Sequence, residues 1–221
     1  MSNFNHKILF FLIGLCCYFK TNAQVNDAGL WLNINVEKKI TQKFSTQFTH
    51  CFRLNENFSE LGTSFSEIGM SYKIIKPLTV GGFYRYSKKR RVDDFYSTGH
   101  RYSFNVSYKL KIKQIKINFR EQFQSGYKDL GTREMSYIPK KHFRSKISIS
   151  YDLEKKYTPF ISGELFYEIG EYIDNARYKA GVDYEFNKFH TINAYYMIDK
   201  EKNVKNPWTN YVFGIGYNFT F

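Results

Sequence analysis

Apolar or aromatic side chains recur at every second position, over runs of about ten residues, along most of this chain. That period is strand geometry, because successive side chains of an extended backbone point to opposite faces. In residues 100–112, Tyr102, Phe104, Val106, Tyr108, Leu110 and Ile112 share one face, and Arg101, Ser103, Asn105, Ser107 and Lys109 share the other. Residues 142–154 repeat the pattern, with Phe143, Ile147, Ile149, Tyr151 and Leu153 opposed to His142, Arg144, Lys146, Ser148, Ser150 and Asp152. Eleven such segments lie near 30–37, 43–54, 64–74, 78–88, 100–112, 114–125, 142–154, 159–169, 176–187, 190–199 and 208–221. The four prolines (Pro77, Pro139, Pro159, Pro207) fall in connections or at strand starts, where a missing N–H costs nothing. No helix-period segment or linker interrupts the series, so residues 24–221 read as one all-β domain. Composition agrees: aromatics reach 19% and the strong helix formers Leu and Ala are scarce. A mean hydropathy of −0.50, with no long apolar run beyond the first twenty-five residues, excludes a helical membrane protein.

The N-terminus has the charged, apolar, small-residue order of a secretory signal peptide. Residues 1–7 (MSNFNHK) end in a cation, residues 8–19 (ILFFLIGLCCYF) are apolar, and Thr21-Asn22-Ala23 offers a small residue for cleavage. The expectation is a signal peptide over 1–23, cleaved after Ala23. Acylation at Cys16 or Cys17 is the alternative; against it, Ile13-Gly14-Leu15 lacks a small residue directly before Cys16, and no polar linker follows. Cys51 then has no partner for an intrachain disulfide and reads as a lone buried thiol.

Alternation leaves open which face is inside. A soluble lipocalin-type barrel turns its apolar face inward, and a membrane barrel turns it outward. Four features favour the membrane. Many segments are as long as a tilted spanning strand of about 9–11 residues requires. The polar faces carry charge along their whole length, and aromatics gather near strand ends as an interface girdle does. Tight connections, such as Ile75-Lys76-Pro77 and 111–113, alternate with longer ones at 88–99 and 125–141. Finally, the chain stops on Tyr211, Phe213, Ile215, Tyr217, Phe219 and Phe221. That ending resembles the C-terminal signal of bacterial outer-membrane proteins, with Tyr217, Phe219 and Phe221 as the residues read by the barrel-assembly machinery. The predicted fold is an antiparallel up-and-down transmembrane β-barrel of ten to twelve strands in the bacterial outer membrane.

Several short stretches carry a family resemblance: Leu30-Trp31-Leu32, Gly69-Met70-Ser71-Tyr72, Gly82-Phe83-Tyr84-Arg85-Tyr86, His100-Arg101, Tyr178-Lys179-Ala180-Gly181-Val182-Asp183-Tyr184 and Gly214-Ile215-Gly216-Tyr217. Together they make the mature chain similar to a family of small Bacteroidota-type outer-membrane barrels, domain of unknown function twenty-four ninety (DUF2490). The resemblance implies a barrel and a compartment, and no activity.

If the last strand ends in the periplasm, the loops at 55–63, 88–99, 125–141, 170–176 and 200–207 fall outside. Eleven segments then leave the first one running inward from an external N-terminus, against the even strand count of bacterial barrels. An extra strand within 24–30 would give twelve, the reading favoured here, and a first segment outside the barrel would give ten.

With the apolar face outward, Arg53, Arg85, Arg101, Arg120, Arg144 and Arg177 point into the lumen, as do Glu67, Glu164 and Glu168. Six guanidiniums in a low-dielectric lumen must be paired or hydrated. They read as a structural Arg–Glu–Tyr network filling a narrow barrel or, alternatively, as a constriction that binds or passes small anions, because the Arg fork matches carboxylate and phosphate. Lys88-Lys89-Arg90-Arg91 reads as an outer loop, either simply solvated or facing lipopolysaccharide phosphates. The formal net charge of +13 does not point to nucleic acid, because an export signal precedes it and no recognition motif accompanies it.

The expected protein is non-enzymatic, without catalytic residue, metal or cofactor, and monomeric among outer-membrane lipid and lipopolysaccharide. One rival is a lipid-modifying enzyme of the lipid A hydrolase or acyltransferase type, relying on His100 or His142. A soluble periplasmic ligand-binding barrel is the other. Gly214 and Gly216 on the last strand read as structural, relieving crowding inside the barrel.

Overall fold

The computed structural model describes residues 26–128, 139–153, 156–204 and 207–221. The signal segment, its cleavage after Ala23, and Cys16 and Cys17 lie outside the described residues. Eleven strands follow one another without a helix among the described residues: β1 (Asn26–Lys39), β2 (Phe44–Asn55), β3 (Glu60–Lys73), β4 (Leu78–Arg90), β5 (Tyr96–Ile112), β6 (Ile115–Lys128), β7 (Lys140–Tyr151), β8 (Tyr157–Glu168), β9 (Ile173–Glu185), β10 (His190–Glu201) and β11 (Thr209–Thr220). Each pairs antiparallel with the next, and β1 closes on β11 to complete a barrel. Closure leaves no strand edge with open N–H and C=O groups, the condition a sheet must meet to cross lipid.

The eleven alternating segments are these eleven strands, so the fold class predicted from alternation is the one observed. The parity argument, which moved the count to ten or twelve, fails for a geometric reason. With an odd count the first and last strands run the same way, and the barrel is sealed by a parallel ladder from Asn26↔Thr209 to Glu37↔Thr220. Parallel pairing is slightly weaker per residue, but twelve residue pairs make this seam as long as its neighbours.

The polarity is that of a membrane barrel. Apolar side chains on the outer wall are open, with Ile68 and Met70 57% exposed and Ile161 58%, whereas the inward-facing Cys51 and Met197 are 3% and 1% exposed. The apolar face is therefore outside. Cys51 is a free, buried thiol, as expected. Exposed aromatics ring both ends: Tyr72, Tyr108, Tyr151, Tyr157 and Phe186 at one, Tyr86, Tyr96, Tyr167, Tyr172 and Trp208 at the other. Glu121 interrupts the apolar wall and accepts a hydrogen bond from Ser145 Oγ at 2.6 Å.

Connections sort to two ends. The junctions β1–β2, β3–β4, β5–β6, β7–β8 and β9–β10 bring strand ends together beside the C-terminus at a turn end, and the opposite strand ends lie with Asn26 at a loop end. Strands reach further toward the loop end than their sequence suggested, because polar residues continue the ladders. β4 runs through Arg90 and pairs it with Tyr96, so Lys88, Lys89 and Arg90 belong to a strand and not to a loop. Arg90 is held by Glu60 and Asp94, each at 2.7 Å, and Arg91 by Asp93 at 3.0 Å.

Two inward glycines let a ring lie flat across the wall. A Cβ on Gly214 would fall inside the Tyr195 ring, and one on Gly69 inside the Phe83 ring. The reading of Gly214 as relief of crowding thus acquires a partner.

An odd barrel puts its two ends of chain on opposite sides of the membrane. Epitope tags placed before Asn26 and after Phe221 should behave oppositely in intact cells, one reached by antibody and the other only after permeabilisation. Equal accessibility of both tags would rule out the eleven-strand closure.

Candidate functional site: an arginine–aromatic belt and a basic vestibule

All six arginines expected in the lumen are there, because strand alternation turns Arg53 on β2, Arg85 on β4, Arg101 on β5, Arg120 on β6, Arg144 on β7 and Arg177 on β9 to the inside. Register brings four of them into two groups. Glu67, Arg85 and Arg101 are direct cross-strand neighbours on β3, β4 and β5. Arg120, Lys146, Glu164, Arg177 and Asp199 form one unbroken row from β6 to β10.

Like charges placed opposite one another destabilise a sheet, and here carboxylates bridge pairs of arginines. Arg85 Nε donates to Glu67 Oε2 at 2.7 Å, and Arg101 Nη2 donates to the same oxygen at 3.2 Å. Arg120 Nη2 and Arg144 Nη2 both donate to Glu164 Oε1 at 2.7 Å, and Arg144 Nη1 also donates to Gln124 at 3.1 Å. Arg177 Nη2 donates to Asp199 Oδ2 at 2.8 Å. Among the described residues, Arg53 has no carboxylate partner.

Aromatic faces supply what the carboxylates do not. Arg85 lies 3.5 Å from the Phe65 ring centre and Arg53 5.0 Å from the same ring. Arg53 is also 3.7 Å from the Trp31 ring, which Arg177 approaches from across the lumen at 5.3 Å. Arg177 and Arg144 then share Phe166, at 4.7 and 4.3 Å. The result is a continuous chain, Arg85–Phe65–Arg53–Trp31–Arg177–Phe166–Arg144, closed at each end by a bridging glutamate. A desolvated cation–π contact contributes about 2 kcal/mol. Beside the belt, Tyr195, Met197 and Val212 form a buried cluster with Trp31 packed on it, so this side of the lumen is packed at this level.

On the turn-end side of the belt the lumen opens into a cavity of about 730 Å³. Eight cations line it, Lys39, Lys43, Lys73, Lys109, Arg85, Arg101, Arg120 and Arg144, against two carboxylates, Glu37 and Glu67, so its wall is strongly basic. Nε of Arg53, Arg101, Arg120, Arg144 and Arg177 is buried and finds no hydrogen-bond acceptor among the described residues.

Glu168 does not join the arginines. It binds Lys140 Nζ at 3.2 Å near the loop end, beside His142, whose Nε2 lies 2.9 Å from Asp174 Oδ2. A bulge opposite Phe166 and Tyr167 leaves Asp174 out of the ladder and turns it toward His142. His142, Glu168 and Asp174 offer ligand atoms within 4.8 Å of one another, a set that could take a divalent cation, although Lys140 already neutralises Glu168. His100 faces the outer wall, where its Nδ1 meets Tyr84 Oη at 2.8 Å, so the two histidines of the enzyme reading lie on opposite faces. Tyr217, Phe219 and Phe221 form a stacked ladder on the outer face, joined by His190.

Sequence reasoning missed Trp31, Phe65 and Phe166, because it assigned aromatics to the lipid face; their parity with Glu37, Glu67 and Glu164 on the same strands was the available signal. Lys146 and Lys179 were missed as site residues, and Lys179 Nζ stands 3.7 Å over Tyr195.

Removing one bridging charge should cost far more than removing an arginine that has none. Glu164→Gln leaves Arg120 and Arg144 without counter-charge and should lower stability by about 3 kcal/mol. Arg53→Met loses stacking but also relieves the burial of a guanidinium with no counter-charge, so its net cost should be about 1 kcal/mol. Urea unfolding followed by loss of the heat-modifiable gel band measures both, and equal costs would remove the bridging role of Glu164.

The fold is similar to the β domain of the Bordetella autotransporter BrkA, at 9% identity and a TM-score of 0.52, over 83% of this chain and 86% of that one. The KdgM porin, solved with disordered oligogalacturonate, aligns at 15% identity and a TM-score of 0.49, over 85% and 90% of the two chains. No curated protein matches the sequence. The family model described as protein of unknown function (DUF2490) matches residues 28–210, most of the barrel, and the chain belongs to that family.

Proposed function

We propose that this chain is a non-enzymatic outer-membrane barrel whose lumen is closed by the arginine–aromatic belt and binds anions in the vestibule beneath it. The observation that carries this reading is the pairing of a filled layer with a basic cavity. The belt satisfies its own charges through Glu67, Glu164 and Asp199. The vestibule keeps an excess of cations and several unaccepted Nε–H donors. A pore for small anions would need a continuous water path, whereas Met197 and Val212 are fully buried beside the belt. The outer wall faces lipid, the exposed Lys88 at the loop end suits lipopolysaccharide phosphates, and the terminal Tyr217, Phe219 and Phe221 serve the assembly machinery during insertion. The barrel works as a monomer, exported by a signal peptide cleaved after Ala23, with the turn end in the periplasm.

Refolding the mature chain in detergent, with its gel shift as proof of folding, permits two measurements. Planar bilayers should show no steady conductance, and sulfate should bind saturably by calorimetry, weakening as sodium chloride rises. Steady anion-selective steps that vanish in Arg101→Ala or Arg144→Ala would make the lumen a passage. Absence of sulfate binding would remove the anion site.

A further inference from the structure

The vestibule's cations form two tiers. Arg85, Arg101, Arg120 and Arg144 lie at its deep end, and Lys39, Lys43, Lys73 and Lys109 stand at its mouth. On β5, Arg101 and Lys109 are separated by eight residues, about 26 Å along the strand and ~20 Å along the barrel axis once strand tilt is allowed for. No ion pair within the 4.0 Å limit engages the four mouth lysines among the described residues, so their charges are not spent on the fold. Between the tiers the wall turns neutral and hydrogen-bonding, with Ser71, Thr79, Asn105, Ser107 and Asn118 beside the ring of Phe83. A single small anion would engage one tier and leave the other unmet. The middle zone offers hydroxyl and amide partners, plus one apolar ring face, which suit hydroxylated rings better than a bare phosphate chain.

We infer that the vestibule takes an extended hydroxylated oligoanion, of the acidic-oligosaccharide class, entering from the turn end and lying along the barrel axis with charges at both tiers. This rests on the proposed anion site and adds the length, the hydroxyl content and the direction of entry of its ligand. Binding at two linked points gains affinity through effective concentration, so the tiers should act together.

Calorimetry on the refolded full mature barrel tests this with four probes: glucuronate, a trimer of glucuronic acid, the neutral trisaccharide maltotriose, and tripolyphosphate. The trimer should bind roughly ten- to a hundredfold more tightly than glucuronate, and maltotriose should not bind. The double variant Lys43→Gln with Lys73→Gln, which alters only exposed side chains at the mouth, should bring the trimer down toward the glucuronate level and cost glucuronate much less. Arg101→Gln, checked for folding by its gel shift, should weaken both. Equal binding of glucuronate and the trimer, indifferent to the lysine pair, overturns the two-tier inference while leaving the anion site standing. Tripolyphosphate matching the trimer overturns the hydroxylated class. Binding of no anionic probe, in a barrel that folds, takes down the anion site itself.

Discussion

Six arginines inside a barrel set the terms for the rest of this structure, because a guanidinium removed from water must find counter-charge or a polarisable face. Strand alternation gives them no other place to point. Three carboxylates, Glu67, Glu164 and Asp199, serve five of the six, and two of them do so by accepting from two arginines at once. The remaining demand is met by rings. Arginine suits this arrangement and lysine does not, because the planar, weakly hydrated guanidinium can stack and donate in its plane at the same time. Arg53 shows the stacking half alone, between Trp31 and Phe65. Arg144 shows both, donating to Glu164 and Gln124 while its face covers Phe166.

The same belt ties together strands that the sheet alone does not connect. Hydrogen-bond ladders join each strand only to its two neighbours, whereas Arg177 on β9 reaches Trp31 on β1, with β10 and β11 between them. Arg120 likewise reaches Glu164 two strands away. The Arg177–Trp31 contact spans the parallel seam of β1 and β11. It lies where a parallel ladder, with its slanted and slightly weaker bonds, most needs side-chain support.

What the sequence makes legible follows from how local the signal is. Period-two alternation depends on neighbours in the chain, so all eleven strands and the inward side of every lumen arginine are readable from residues 26–221. Closure is not local. Whether eleven segments close in parallel, lose one or gain one depends on where Asn26 and Thr209 meet in space, and the even-count rule pointed the wrong way. The belt is illegible for a related reason. Trp31, Phe65 and Phe166 look like lipid-facing aromatics until their parity is set against Glu37, Glu67 and Glu164 on the same strands. Their partners also come from distant parts of the chain. His142, Glu168 and Asp174 gather only because a bulge in β9 shifts the register by one, which no spacing in the sequence announces.

The two ends of the lumen are consequently unlike. On the loop-end side of the belt several cations are paired, Lys140 with Glu168 and Arg90 with Glu60 and Asp94, and His142 lies 2.9 Å from Asp174. On the turn-end side the lysines Lys39, Lys43, Lys73 and Lys109 line a cavity with Glu37 as the carboxylate among them. If the basic residues served the fold alone, acids would be expected opposite them at both ends, since an unpaired charge at a barrel mouth contributes nothing to stability and repels its own kind. Their concentration at one mouth, above a layer of arginines whose Nε–H groups lack acceptors, is the asymmetry that a ligand supplying its own negative charge would resolve.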